Sequence, residues 1–118
     1  MRLPDSTAPL AEIYDLLYRL GLTANSVMFF YTSYAVWLCV QQPERLLLVT
    51  KWLYPEVAKH YGTTPAAVER SIRRAANTVF THSSAQLTER IGYTPTLRPR
   101  TAQFLALLAA CVPPPQAA

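Results

Sequence analysis

Three arginines lie close together in the middle of the chain, at spacings that place them on one side of a helix. Arg73 and Arg74 are adjacent, and each lies three or four residues from Arg70 before them and from Asn77 after them. Residues at these intervals are neighbours on a helix surface. A guanidinium group presents its donors as a planar fork that suits bidentate pairing with guanine or with a phosphate. Taken alone, this pattern fits nucleic-acid binding and a simply solvated basic face equally well.

The residues around these arginines predict the helix that must hold them, from Pro65 to about Phe80. Pro65 suits a first helical turn because its missing N–H has no partner there, and Thr63 or Thr64 can cap that turn. At 100° per residue, one narrow stripe of this segment is apolar and must face a core. The stripe consists of Val68, Ile72, Ala75 and Val79.

A second, shorter helix is predicted just before this one. The segment PEVAKHY has apolar residues at helical spacing, and the Gly62 that follows it tolerates the left-handed conformation with which helices often end. Two helices joined by a tight turn that contains glycine form a helix-turn-helix, here over about residues 54–80. In that motif the second helix, residues 65–80, enters the major groove with its N-terminus first.

The whole chain is expected to be an all-α protein. It has 118 residues, 51% hydrophobic and 15% charged, with only three glycines and with apolar residues at helical spacing. We expect a single domain over residues 1–112, a compact bundle of about five to six helices, and a disordered proline-rich tail over 113–118. The other helical segments are predicted at 9–20 (capped by Ser6 or Thr7 and ended by Gly21), 24–41 (capped by Thr23), 43–54, a short stretch after Phe80 ended by Gly92, and 101–112.

The charge is unevenly distributed along the chain. Residues 1–50 carry three basic and four acidic groups, whereas residues 51–118 carry eight basic and three acidic groups, within a formal net charge of +4. The positive half contains the helix-turn-helix, as a nucleic-acid footprint requires. Arg98 and Arg100 lie in a turn-rich segment of this half, where they either contact phosphates or are simply solvated.

Other chemistry finds little support in the sequence. The two cysteines lie in apolar runs without metal-ligand spacing, so we interpret them as buried free thiols and expect neither metal nor cofactor. No nucleophile–base pair or phosphate-binding glycine loop indicates an enzyme. The first residues lack the apolar segment of a signal peptide, which predicts a cytoplasmic protein.

The segment predicted as the helix 24–41 is uncharged and almost entirely apolar or aromatic. A membrane span is one interpretation, but its strongly apolar part is shorter than the about 20 residues that cross a bilayer. We therefore expect a buried helix and no membrane partner.

The run LYPEVAKHYGTTPAAVERSIRRA resembles the C-terminal DNA-binding effector domain of the sporulation response regulator, stage-zero sporulation protein A. The pattern of that family is close to LYP-[DE]-[IV]-A-K-x-[FY]-x-TT-x-x-x-VER-x-IR, and weaker similarity extends over about residues 11–108. The residues that fit the pattern are Leu53, Tyr54, Pro55, Ala58, Lys59, Thr63, Thr64, Val68, Glu69, Arg70, Ile72 and Arg73.

The resemblance implies roles for individual residues. Glu69, Arg70 and Arg73 occupy the family's base-reading positions, and the residues expected near the phosphate backbone are Lys59, Thr64 and Arg74. We add Asn77, Arg98 and Arg100 to the phosphate-contacting set. The implied partner is double-stranded DNA with a TGTCGAA-like box, commonly in tandem copies bound by a head-to-tail dimer. Ala67 departs from the pattern, because an arginine usually stands there.

Two further expectations follow from where this chain departs from the family. The family carries charged residues near Val27, Ser33 and Tyr34, so the apolar helix 24–41 could instead expose an interface for self-association or for a protein partner. Its predicted residues are Met28, Tyr31, Tyr34 and Trp37, and filling of the protein's own core is the equal alternative. A protein-interaction module with weak DNA binding is thus the second functional hypothesis. Residues 1–52 resemble no phosphoacceptor receiver domain, so the chain is either a stand-alone effector or part of a longer protein.

Overall fold

The computed structural model describes residues 4–91 and 100–112, with side chains described for residues 10–82 and 100–112. Over these residues the chain forms α-helices joined by short turns, with no β-strand. This confirms the predicted all-α bundle. The helices are α1 (Pro4–Arg19), α2 (Val27–Gln41), α3 (Tyr54–Tyr61), α4 (Pro65–Ile91) and α5 (Thr101–Ala110).

Helix α2 lies at the centre of the bundle, against α1, α4 and α5. A helix that is apolar all round is stable in water only when other elements cover it, and Phe29, Val36 and Cys39 are almost fully buried. The Ser33 hydroxyl is also buried and donates to the Phe29 carbonyl oxygen at 2.7 Å. No helix among the described residues is both long enough and apolar enough to cross a bilayer.

Several predicted helix starts are wrong. Helix α1 begins at Pro4, so Ser6 and Thr7 lie inside it and do not cap it. Helix α2 begins at Val27, where Ser26 is the N-cap and its hydroxyl accepts from the Phe29 N–H at 3.4 Å. Thr23, the predicted cap, instead donates its hydroxyl to Asn25 Oδ1 at 2.6 Å. Neighbouring polar residues compete for the same capping role, and sequence pattern alone does not rank them.

The segment between α2 and α3 is not a regular helix. It forms a 3₁₀ turn at Pro43–Leu47 and a π-helical turn at Val49–Leu53. Arg45 lies in the middle of the 3₁₀ turn with only 8% of its surface exposed. Its Nη2 is 2.6 Å from Glu56 Oε1, its Nη1 donates to Gln42 Oε1, and its guanidinium lies 5.3 Å from the Trp52 ring centroid. Arg45 therefore ties the connection to α3.

Helix α4 is longer than the predicted recognition helix. It continues without a break through Phe80 to Ile91, so the separate short helix expected after Phe80 is wrong. The Thr and Ser residues after Phe80 resemble a loop in composition, but no glycine or proline interrupts residues 66–91. Helix α5 ends at Ala110, two residues before the predicted end. Gly92, Arg98 and the tail 113–118 lie outside the described residues.

Candidate nucleic-acid interface

The turn between α3 and α4 has the geometry that the sequence predicts. Gly62 has φ +67° and ψ +40°, the left-handed conformation. The Thr63 N–H donates to the Ala58 carbonyl oxygen at 2.9 Å, and this bond closes the end of α3. Thr64, rather than Thr63, caps α4, because its Oγ1 accepts from the Ala67 N–H at 3.1 Å. Local hydrogen bonds thus close the end of α3 and cap the start of α4 on the two sides of the turn.

The inner face of α4 anchors it to the bundle. Its predicted apolar stripe is fully buried, and Ala76 is buried beside it. The members of the stripe, each with 0% exposure, are Val68, Ile72, Ala75 and Val79. Burial of this face turns the opposite side of the helix toward solvent, which confirms the amphipathic arrangement expected from the sequence.

Arg70 and Arg74 lie on the outer side of α4, and both are exposed. Within the described residues neither takes part in an ion pair. Lys59 is also exposed, in the last turn of α3. The Thr64 hydroxyl is exposed, and because it acts as an acceptor in capping, its own hydrogen is left to donate to a ligand.

Arg73 and Glu69 form an ion pair one helical turn apart. Arg73 Nη1 lies 2.6 Å from both carboxylate oxygens of Glu69. Because a single nitrogen makes both contacts, Nε and Nη2 of the same guanidinium are not used by Glu69. Glu69 and Arg73, which the sequence analysis predicts as two separate base readers, therefore contact each other in the structure.

A groove of about 560 Å³ lies between the N-terminal half of α4 and the start of α5. Glu69, Arg73 and Asn77 line it from α4 at intervals of four residues, and exposed Arg100 lines it from the residue before α5. Val49, Thr50, Tyr54 and Thr101 complete the lining. The structure thus brings Arg100 and Asn77 to the same groove as two of the predicted base readers, whereas Arg98 lies outside the described residues.

Tyr54 and Thr101 belong to this groove, although the sequence assigned them no role. Tyr54 is 4% exposed, and burial, with a smaller contribution from the negative charge of Glu69, raises the pKa of its phenol to about 12. A side-chain hydrogen bond with Thr101 lowers that pKa and partly offsets these two effects. Tyr54 is part of the LYP motif, and this was the one feature of the sequence that could have identified it as a residue of the groove.

The aromatic residues of α2 have partners inside the chain. Tyr34 stacks on His60 at 4.1 Å between ring centroids and lies 5.8 Å from Trp37, while Tyr31 lies 5.1 Å from Tyr61. Tyr31, Tyr34, Trp37 and Met28 are all half-buried and pack against the core. These rings join α2 to the end of α3, so at least part of their surface serves the fold.

The short α3, the left-handed turn at Gly62 and the basic outer face of α4 define a helix-turn-helix protein of the DNA-binding class. A family model described as "Sporulation initiation factor Spo0A C terminal" matches residues 13–112, which is most of the chain. The chain belongs to this family. At the level of the family it is therefore a DNA-binding effector domain of the sporulation regulators, and the resemblance inferred from residues 53–75 is confirmed.

Proposed function

We propose that this protein is a sequence-specific transcription regulator in which the N-terminal half of α4 enters the major groove of DNA. The observation that carries the proposal is the outer face of α4, where exposed Arg70 and Arg74 flank the oriented Glu69–Arg73 pair directly after the Gly62 turn. We further propose a cytoplasmic location, as DNA binding in a sporulating cell requires.

The base-reading step would use the arginine forks. Nε and Nη2 of Arg73 are not engaged by Glu69, so they would pair with guanine O6 and N7, and Arg70 would read a second guanine. Each bidentate contact would contribute roughly 1–3 kcal/mol of discrimination against a wrong base. The Glu69 carboxylate would accept a hydrogen bond from a cytosine N4 while it holds Arg73.

The affinity step would use groups around this centre. Lys59 at the end of α3, Arg74 on α4 and Arg100 just before α5 are exposed cations. Thr64 has a hydroxyl hydrogen to donate. Contacts of this kind neutralise phosphates and position a protein on the duplex without reading sequence. Asn77, which lines the groove, would add a phosphate contact if the backbone passes over α5.

A binding titration tests this function. The purified chain is titrated against a duplex with two family-type boxes and against a scrambled duplex, at two salt concentrations, with Arg70→Ala and Arg73→Ala beside the wild type. We expect selective binding that each variant loses. Arg19→Ala is the matched control, because Arg19 is an exposed arginine paired with Asp15 on α1. If both duplexes bind equally and salt weakens both, counterion release accounts for all of the binding. That result would refute sequence recognition.

The second hypothesis, a protein-interaction module, is supported by exposed apolar side chains near α2. Leu47 is 80% exposed, Leu48 is 52% exposed, and Val27 at the start of α2 is 60% exposed. Tyr31 and Tyr34 already contact α3 within the chain, which leaves less of their surface for a partner, so we rank self-association second. Light scattering over a range of protein concentrations gives the molar mass and so tests self-association. A monomer at every concentration would rule self-association out, whereas a dimer that Trp37→Ala converts to a monomer would support it.

A further inference from the structure

The first turn of α4 carries no polar side chain. The helix begins with Pro65, Ala66 and Ala67, of which the first two are exposed and the third is half-buried. Pro65 has no N–H, and the Ala67 N–H is already bonded to Thr64 Oγ1 at 3.1 Å. The side chains of this turn can therefore offer a ligand apolar contact but no hydrogen bond.

Ala66 lies on the same side of α4 as two of the predicted base readers. At 3.6 residues per turn it is about 40° from Arg70 and about 20° from Arg73 around the helix axis. It precedes them along the axis by about 6 Å and about 10 Å, at the end of the helix that enters the major groove first. All three residues are exposed, whereas the stripe that begins at Val68 is buried on the other side. A duplex that contacts both arginines in this way also meets the Ala66 methyl group.

The major groove offers one kind of apolar group to such a side chain. Guanine, adenine and cytosine present hydrogen-bond donors and acceptors there, whereas thymine also presents its C5-methyl group. Contact between an alanine side chain and this methyl group is one of the ways in which proteins recognise thymine. A polar residue in the place of Ala66 would instead pair with a donor or acceptor. The chemistry of the first turn therefore selects thymine.

We propose that Ala66 is a specificity-determining residue that reads a thymine through contact between its side-chain methyl group and the C5-methyl group of the base. The proposal rests on the function proposed above. It gives a base contact to a position at which the family pattern specifies no residue type. Arg70 and Arg73 select guanines by hydrogen bonds, and Ala66 adds discrimination of thymine from cytosine. From the axial distance, the thymine should lie within about three base pairs of the guanine that Arg73 reads.

The test removes the thymine methyl group and leaves the rest of the duplex unchanged. Each thymine of one family-type box is replaced in turn by deoxyuridine, which keeps every hydrogen-bonding group and lacks only the C5-methyl. We expect one replacement to weaken binding of the wild-type chain roughly 3- to 5-fold, the effect of one methyl group lost from an apolar contact. The same replacement should not affect Ala66→Gly, in which the partner methyl is already missing. Equal losses in the two proteins would overturn the proposal.

Ala67→Gly is the matched control. It makes the same substitution at the next position of the same turn, about 100° away around the helix, and it carries the same loss of helix propensity. We expect this variant to respond to deoxyuridine as the wild type does. A response that disappears in both glycine variants would report a loosened start of α4 and would overturn the methyl contact. Should Ala66→Gly not fold, Ala66→Ser, which turns a polar group toward the thymine methyl, takes its place with the same expected outcome.

The deoxyuridine series also separates this proposal from the proposed function. A wild-type chain that selects the box over the scrambled duplex but responds to no deoxyuridine overturns the thymine contact and leaves sequence recognition in place. A wild-type chain that binds the box and the scrambled duplex equally overturns both.

Discussion

Arg45 and Glu56, eleven residues apart, form an ion pair of 2.6 Å that joins the turn after α2 to the first helix of the helix-turn-helix. The two partners differ in their access to water. The Arg45 side chain is 10% exposed and the Glu56 side chain is 38% exposed. Because of this difference, the loss of stability on removing one partner depends on whether the arginine or the glutamate is removed.

We expect Glu56→Ala to destabilise the protein more than Arg45→Met. The first change leaves a buried guanidinium without its carboxylate, at a cost of about 2–4 kcal/mol. The second leaves a carboxylate that water can solvate and replaces the arginine by an apolar chain, at a cost of about 1 kcal/mol. Urea unfolding measures both. Asp15→Ala, which breaks the exposed Arg19–Asp15 pair, is the control and should change stability by less than about 1 kcal/mol.

Glu69→Gln should trade selectivity for general affinity. The change releases Arg73 and adds one positive charge at the interface, so binding to a scrambled duplex should tighten and the slope of log K against log salt should steepen by up to about 0.9. Selectivity for the box should fall because Arg73 loses its fixed orientation. Glu44→Gln makes the same charge change on an exposed residue of the 3₁₀ turn. Identical slopes for both variants would contradict the prediction.

Gly62→Ala should cost about 1 kcal/mol of stability, the usual penalty of a left-handed L-residue. A Cβ at Gly62 would meet nothing within 4 Å, so the cost comes from the backbone at φ +67° and not from a clash. Asn tolerates this conformation better, and Gly62→Asn should lose less. Thermal unfolding of the two variants checks the order. An alanine variant as stable as the wild type would show that the turn relaxes.

Thr32→Val should stabilise the protein by about 1 kcal/mol. Thr32 is fully buried in α2, and within the described part of the chain its Oγ1 has no hydrogen-bond partner. Valine has nearly the same shape without the desolvated hydroxyl. Ser33→Ala is the contrasting variant, because it removes a hydroxyl that does donate, to Phe29. Chemical denaturation should show a higher free energy of unfolding for Thr32→Val and no increase for Ser33→Ala.

The two cysteines should react with alkylating reagents at different rates. Burial raises the pKa of the Cys39 thiol to about 12, whereas Cys111 is partly exposed, which corrects the expectation that both are buried. Labelling of the native protein at neutral pH should modify Cys111 first. Since the unfolded thiol ionises near 9, burial of Cys39 also contributes stability below that pH, and this contribution is lost as the pH rises toward 12. Comparable labelling rates would show that Cys39 is more accessible than its burial indicates.

Features set by neighbouring residues could be predicted from the sequence. The buried stripe from Val68 to Val79, the left-handed Gly62 and the cap at Thr64 all follow from periodicity or from the conformational freedom of one residue. The boundaries were less predictable. Helix α4 continues past Phe80 because a polar helix without glycine or proline is stable once its first turns are anchored in the core.

Periodicity and motif spacing are local properties of the chain, so they were enough to predict an all-α member of this family with a basic face on the second helix of a helix-turn-helix. The roles of the predicted DNA-contacting residues remain predictions. No sequence pattern predicted that Arg45 meets Glu56, that His60 stacks on Tyr34, or that Tyr54 and Thr101 line the same groove as Arg73. These contacts join residues on different elements of the fold, and they depend on how the helices pack around α2, which no local pattern specifies.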